Sequence, residues 1–152
     1  MNKEIKFRGK INEKGIDNSW IEGSLVHITK TYKGEEDEQE CNIYQIINDD
    51  GVGFFIDKET IGQYTGLHDK NGKEIYEGDI ITCKQYIGGN FVDYHLEKGF
   101  VEFKDGEFGV HREQGYYLSI KKLLEYNYNI EVVGNVFEKG ILLNDSKKSK
   151  KN

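Results

Sequence analysis

Apolar residues alternating at period two, eighteen glycines with no proline, and one stretch at helical spacing predict a mainly β, complex all-β fold. The expectation is short antiparallel strands, an SH3-like barrel in the C-terminal half and one short helix. With proline absent, every tight turn falls to Gly, Asn or Asp, the residues that tolerate positive φ. Ten Tyr, eight Phe and one Trp supply the large apolar surfaces that close a core in a chain of low overall hydrophobicity.

The first strand is read from Ile5, Phe7 and Ile11, which alternate with Lys6, Arg8 and Lys10. A turn at Asn12-Glu13-Lys14-Gly15 leads into a second strand over residues 20–29, giving a first hairpin. The acidic run Glu35-Glu36-Asp37-Glu38-Gln39-Glu40 repels itself and has nothing apolar to bury, so it reads as a solvated loop. Strands over 42–47 and 52–56 flank Asn48-Asp49-Asp50-Gly51, a second hairpin.

Residues 61–67 form the next strand, followed by a turn at Asp69-Lys70-Asn71-Gly72-Lys73 and a return at Ile75 and Tyr76. Glu77-Gly78-Asp79 turns the chain into a strand over 80–86, which Gly88-Gly89-Asn90 breaks before residues 91–96 resume it. Residues 100–103 pair with 108–111 through Lys104-Asp105-Gly106-Glu107. The helix is placed at 119–126, with Ser119 as N-cap and Ile120, Leu123 and Leu124 on one face. A last strand covers 130–137. The organisation that follows is an N-terminal hairpin region over 1–56, a barrel-like region over 57–140 and a disordered Lys-rich tail over 141–152.

Charge narrows the function classes. The chain carries −6, but the tail from residue 144 holds a net +3, which leaves −9 on residues 1–143. A body that acidic repels phosphate backbones, which argues against nucleic acid as the main partner. No apolar run approaches the length of a membrane span, so the expectation is a cytoplasmic protein without a membrane partner. Cys41 and Cys83 stand at no metal or redox spacing and read as free thiols.

The densest group of hydrogen-bonding side chains lies between positions 63 and 79. Gln63, Tyr64, Thr65, His68, Asp69 and Asp79 are the candidate binding residues, suited to a small polar ligand or a peptide strand. Turn chemistry accounts for the same residue types, with Asp69 and Asp79 closing turns by side-chain hydrogen bonds, and is the favoured reading. The segment from Asp69 superficially has the alternating oxygens of a calcium loop, but Lys73 replaces the third and Ile80 stands where the closing Glu belongs. His27, His68, His95 and His111 are scattered, no Ser or Cys stands beside an activating group, and paired carboxylates single out no one pair. No catalytic residue, metal or cofactor is therefore expected.

Five pieces in order, Phe7-Arg8-Gly9-Lys10, Trp20-Ile21-Glu22-Gly23, the block from Ile61 to Gly72, Ile75-Tyr76-Glu77-Gly78-Asp79-Ile80 and Ile130-Glu131-Val132-Val133-Gly134-Asn135-Val136, resemble the YopX pattern. The resemblance implies a phage or prophage origin, a complex all-β fold with a barrel-like C-terminal part, and self-association. It implies no active site. The function expected is a non-enzymatic phage or prophage accessory protein that binds a host or phage protein through a β-rich surface, as a homo-oligomer. The alternative is a nucleic-acid-associated SH3-like barrel using Lys6, Arg8, Lys10 and the C-terminal lysines. A third possibility, a hydrolase or transferase, requires Gln63, His68, Asp69 or Asp79 to converge in a concave pocket.

Overall fold

The structure, a computed structural model, describes residues 4–87, 90–92, 98–111, 117–126 and 128–138. It is mainly β, with two antiparallel sheets and one short helix, as the alternation predicts. The chain divides into two compact units, Met1–Tyr64 and Thr65–Asn152. The tail over 141–152 and residues 93–97 lie outside the described residues.

In the first unit, β1 (Phe7–Lys10), β2 (Trp20–Lys33), β3 (Glu38–Ile47) and β4 (Gly53–Phe55) pair in the order β4-β3-β2-β1, and the first residues of β5 (Gly62–His68) join the far side of β1. Successive side chains of a strand point to opposite faces. Ile21 and Leu25 of β2 therefore turn inward, where they pack with Phe7, Phe54 and Ile61 on the buried Ile11, Ile46 and Ile56. Gly9 sits among them because a Cβ there would overlap the Ile56 side chain. Trp20, Ser24, Val26 and Ile28 take the opposite, outer face.

β2 is longer than the 20–29 expected, and so is its partner. Ten rungs join them in unbroken register, from Ser24↔Ile47 to Lys33↔Glu38. The acidic run is thus not wholly a loop: Glu38, Gln39 and Glu40 belong to β3, and only Glu35, Glu36 and Asp37 remain in the turn. β-branched residues at Val26, Ile28, Thr29, Thr31 and Ile43 favour the extended backbone enough to carry the charged residues with them. Lys33 facing Glu38 across the ladder, 3.7 Å apart, replaces repulsion by attraction at the last rung.

In the second unit, the later residues of β5 lie beside β6 (Glu74–Tyr76). The second sheet follows from β7 (Asp79–Ile87), β8 (Asn90–Val92), β9 (Gly99–Lys104), β10 (Glu107–His111), β11 (Tyr117–Ser119) and β12 (Tyr128–Asn135). Its path is β11-β10-β9-β7-β12, with β8 turning back on β7. The β9–β10 connection uses Asp105 and Gly106 at φ 51° and 88°, the left-handed pair that a two-residue hairpin turn demands. Ile75, Ile81, Cys83, Val101, Val110, Ile120, Leu123 and Ile130 form the core.

The closed barrel expected for this half is not reached among the described pairings, which leave β11 and β12 as opposite ends of an open path. The reason is the connection between them. Helix α1 (Ile120–Glu125) joins the two end strands and sinks Ile120 and Leu123 into the core, so apolar surface is covered by a helix rather than by one more ladder. Ser119 does stand at the N-cap position, but its hydroxyl makes no capping hydrogen bond. It is instead a buried rung of β11 paired with Gly109.

Candidate functional site

Gln63 and Tyr64 belong to the first unit, and Thr65, His68, Asp69 and Asp79 to the second. Gln63 is half-buried opposite Phe7, and Tyr64 is buried with the Lys6 ammonium 5.1 Å from its ring centre. Thr65 is buried as well: its hydroxyl donates to the Ile75 carbonyl at 2.8 Å and accepts from the Leu67 N–H. His68 ends β5 with its side chain exposed.

Asp69 is only 7% exposed. One carboxylate oxygen accepts the N–H of Asn71 at 2.8 Å and of Lys73 at 2.9 Å, and the other accepts the N–H of Val132 at 3.1 Å. Burial alone raises such a carboxyl's pKa, but the N–H donors of Val132, Lys73 and Asn71 and the Lys73 charge outweigh it and hold the group below the usual carboxylate value. The same turn is fixed from its backbone by Asp69 N–H to Lys73 O and Lys70 N–H to Ile130 O, both at 2.8 Å. Oxygens aimed at N–H donors are poorly placed for a cation, in keeping with the failed calcium-loop spacing.

Asp79, 1% exposed, does comparable work one turn later. It accepts from the Tyr76 N–H at 2.9 Å and from the Asn135 amide at 3.3 Å. Gly78 between them donates to Val101 O and accepts from Val136 N–H, both at 2.9 Å, so this corner ties β6, β7, β9 and β12 together. Of the six candidates, then, Thr65, Asp69 and Asp79 are engaged by backbone groups of their own unit. Among the described residues no group of three or more His, Cys, Asp or Glu is arranged to hold a metal. A shallow groove of about 220 Å³ beside the turn is lined by Lys70, Thr82, Lys84, Asn129 and Glu131, with Lys70 ion-paired to Glu131 at 2.6 Å.

The largest feature that sequence reasoning missed lies in the first unit. Beyond Gly23, β2 is no longer flanked by β1, and before Gln45, β3 is not flanked by β4. The rungs from Thr29↔Asn42 outward therefore form a two-stranded arm with solvent on both sides, every residue of it exposed.

Its two faces differ. One carries His27 stacked on Tyr44 at 4.4 Å, His27 and Thr29 bonded to the Asn42 side-chain oxygen at 2.9 Å each, then Thr31 opposite Glu40 and Lys33 opposite Glu38. The other carries Val26, Ile28, Ile43, Cys41 and Tyr32 and continues to Ile47 and Phe55, with Ile28 38% and Tyr32 56% exposed. At the root of that outer face the Arg8 guanidinium and the Lys10 ammonium lie 4.9 and 5.4 Å from the Trp20 ring centre. The alternation in residues 24–33 was the available signal, and the adjoining acidic run concealed its extent.

No helix among the described residues is long and apolar enough to cross a membrane. No curated protein matches the sequence. A family model described as YopX protein matches residues 6–144, which take in the turn clamps at Asp69 and Asp79, both cores and the exposed arm, and the chain belongs to that YopX family.

Proposed function

We propose that this YopX-family chain is a phage- or prophage-encoded accessory protein of the host cytoplasm that acts by binding proteins rather than by catalysis, and that it does so as a homo-oligomer through the outer face of the β2–β3 arm. The carrying observation is that apolar face, with Ile28, Ile47, Tyr32 and Phe55 exposed and Val26 and Ile43 half-buried beside them, on a ribbon whose distal half is solvated on both sides. Two strands alone gain too little burial to be independently stable, and a partner surface supplies what is missing. Of the candidates between positions 63 and 79, Asp69 and Asp79 enter this reading as the residues that fix the turns of the second unit.

The direct test replaces Ile28 and Ile43, which face each other across the ladder on the outer face, by lysine. The substituted protein keeps its circular dichroism spectrum and loses association in sedimentation experiments and in cross-linking. A wild-type protein that is monomeric throughout and cross-links to nothing that the substituted one does not would end this reading.

One observation favours a second reading. Trp20 between Arg8 and Lys10 is a stacking surface with cations beside it, the combination that single-stranded nucleic acid requires. A salt titration of DNA and RNA binding tests it, and absence of binding at low salt removes it.

A further inference from the structure

We infer that the aromatic pair Phe103 and Phe108, on the inner face of the β9–β10 hairpin, is the seat of the chain's own apolar segment Ile141-Leu142-Leu143, which closes over it after the turn that follows β12. The inference is independent of the protein-binding reading of the arm.

The inner face of the hairpin is only half covered. Residues opposite each other across a ladder share a face, so Val101↔Val110 and Phe103↔Phe108 are successive pairs on one side. The first pair is core, with Val101 1% and Val110 3% exposed, whereas Phe103 is 53% exposed. The Phe103 ring meets that of Phe108 edge to face at 5.0 Å, and Phe108 packs on the core. The two rings therefore carry the core's surface outward past its covered part, and phenylalanine is among the residue types most often buried. A cover has to come onto the face rather than along the edge. The Phe103 N–H, which an added strand would need, is already taken by the Glu77 carboxylate at 3.2 Å.

The occupant follows from where the described chain ends. β12 runs out at Asn135 into a turn closed by the Glu138 N–H on the Asn135 carbonyl at 3.2 Å. Within that turn the Val136 N–H donates to the Gly78 carbonyl, and the Phe137 ring stands so close over Gly78 that a Cβ there would lie 2.8 Å from it. Gly78 in turn donates to the Val101 carbonyl at 2.9 Å. The chain thus leaves a corner bonded to Val101, and Phe103 is two strand residues, about 7 Å, further on. Three extended residues beyond Glu138 cover about 10 Å, which brings position 141 to the rings.

Composition selects the segment. Between Glu138 and the lysine run that begins at Lys147 there is one apolar stretch, Ile141-Leu142-Leu143, preceded by Gly140. The YopX family match extends to residue 144, so it takes in that stretch and leaves out the lysines. Aliphatic side chains laid on the aromatic pair remove apolar surface from water on both sides of the contact. The pair is then a seat for this chain's own segment and not a docking face for a separate protein.

The experiment is hydroxyl-radical footprinting of the full chain at a concentration where it is monomeric, with oxidation at each phenylalanine read by mass spectrometry. Phe55, 47% exposed, is the internal reference, because the two side chains have the same chemistry and similar exposure among the described residues. Phe103 is expected to oxidise about fivefold more slowly than Phe55, since side chains in contact exclude the water that carries the radical. Leu142→Asp together with Leu143→Asp brings Phe103 up to the rate of Phe55 and leaves Phe55 unchanged. Lys147→Gln, Lys148→Gln, Lys150→Gln and Lys151→Gln combined leave Phe103 protected. Circular dichroism verifies that each variant folds.

Should the double aspartate variant not fold, Leu142→Ser takes its place, and the wild-type ratio is decisive on its own. Phe103 oxidising as fast as Phe55 in the wild type would overturn the inference. Protection that survives the substitutions at 142 and 143, or that disappears with the lysines, would equally overturn it by assigning the cover to another part of the chain.

Discussion

The Asp69 carboxylate accepts the backbone N–H of Val132 at 3.1 Å, a hydrogen bond between residues 63 positions apart in sequence. Its other oxygen holds the N–H groups of Asn71 and Lys73 in its own turn, so one side chain fixes a local bend and docks it on β12. Replacing Asp69 by Asn leaves an amide NH₂ facing backbone donors. A loss of about 2–3 kcal/mol of stability is expected, measured by urea denaturation at neutral pH.

The same group makes a pH prediction. Its folded-state pKa is depressed, so its stabilisation is fully present above the ordinary carboxylate value of 3.8 and is lost as pH falls through the folded value below that. The stability gap between wild type and Asp69→Asn is therefore constant from neutrality to about pH 5 and closes only in stronger acid. A gap that closed near neutrality would contradict the assignment.

Gly109 lies beneath the ring of Tyr117, whose hydroxyl donates to the Glu107 carbonyl at 2.7 Å. A methyl group at position 109 overlaps that ring. Gly109→Ala is expected to cost about 1–3 kcal/mol, and less in a Tyr117→Leu background, where the clash is gone. Thermal melts of the two single variants and the double variant measure the coupling.

Ile46 and Ile28 share one hairpin and differ in surroundings: the first is 0% exposed and the second 38%. Ile46→Ala is expected to destabilise the fold by about 2–4 kcal/mol, and Ile28→Ala by under about 1 kcal/mol at a concentration where the protein is monomeric. Equal losses would place the outer face in a core.

Cys41 is exposed on the arm and Cys83 is buried at 5% in the core of the second unit. Titration with an aromatic disulfide reagent under native conditions is expected to modify one thiol rapidly and the second only on denaturation. Association through the outer face slows the first reaction as protein concentration rises.

What the sequence made legible were features written in nearest neighbours. Asp105-Gly106 announces its turn because those two residues accept positive φ, and Asp69 announces its bend because a short carboxylate reaches the N–H groups two and four residues on. The partner of Asp69 on β12 was not legible, since nothing local to residue 69 specifies which distant N–H will arrive there. The open end of the second sheet has the same cause: Ile120 and Leu123 mark a helix, but not that it would span the two end strands.

The arm was misjudged for a different reason. Charge repulsion among Glu35 to Glu40 is real, yet it is a property of the isolated run, and Lys33 across the ladder offsets it once the strands pair. The outer apolar face was written in the sequence as Val26, Ile28 and Tyr32. Seeing it as a surface needed the knowledge that nothing among the described residues covers it.

The order β11-β10-β9-β7-β12 also sets a timetable for synthesis. The neighbour of β7 on its far side is the last of the described strands to be translated, some forty residues after β7 itself ends at Ile87. A nascent chain halted before Tyr128 carries that edge of β7 open, and the ribosome must release the final strand before Ile81 and Cys83 gain the shelter of Val132 and Ile130. Ribosome-stalled intermediates of this length are where chaperone binding to the second unit is to be sought.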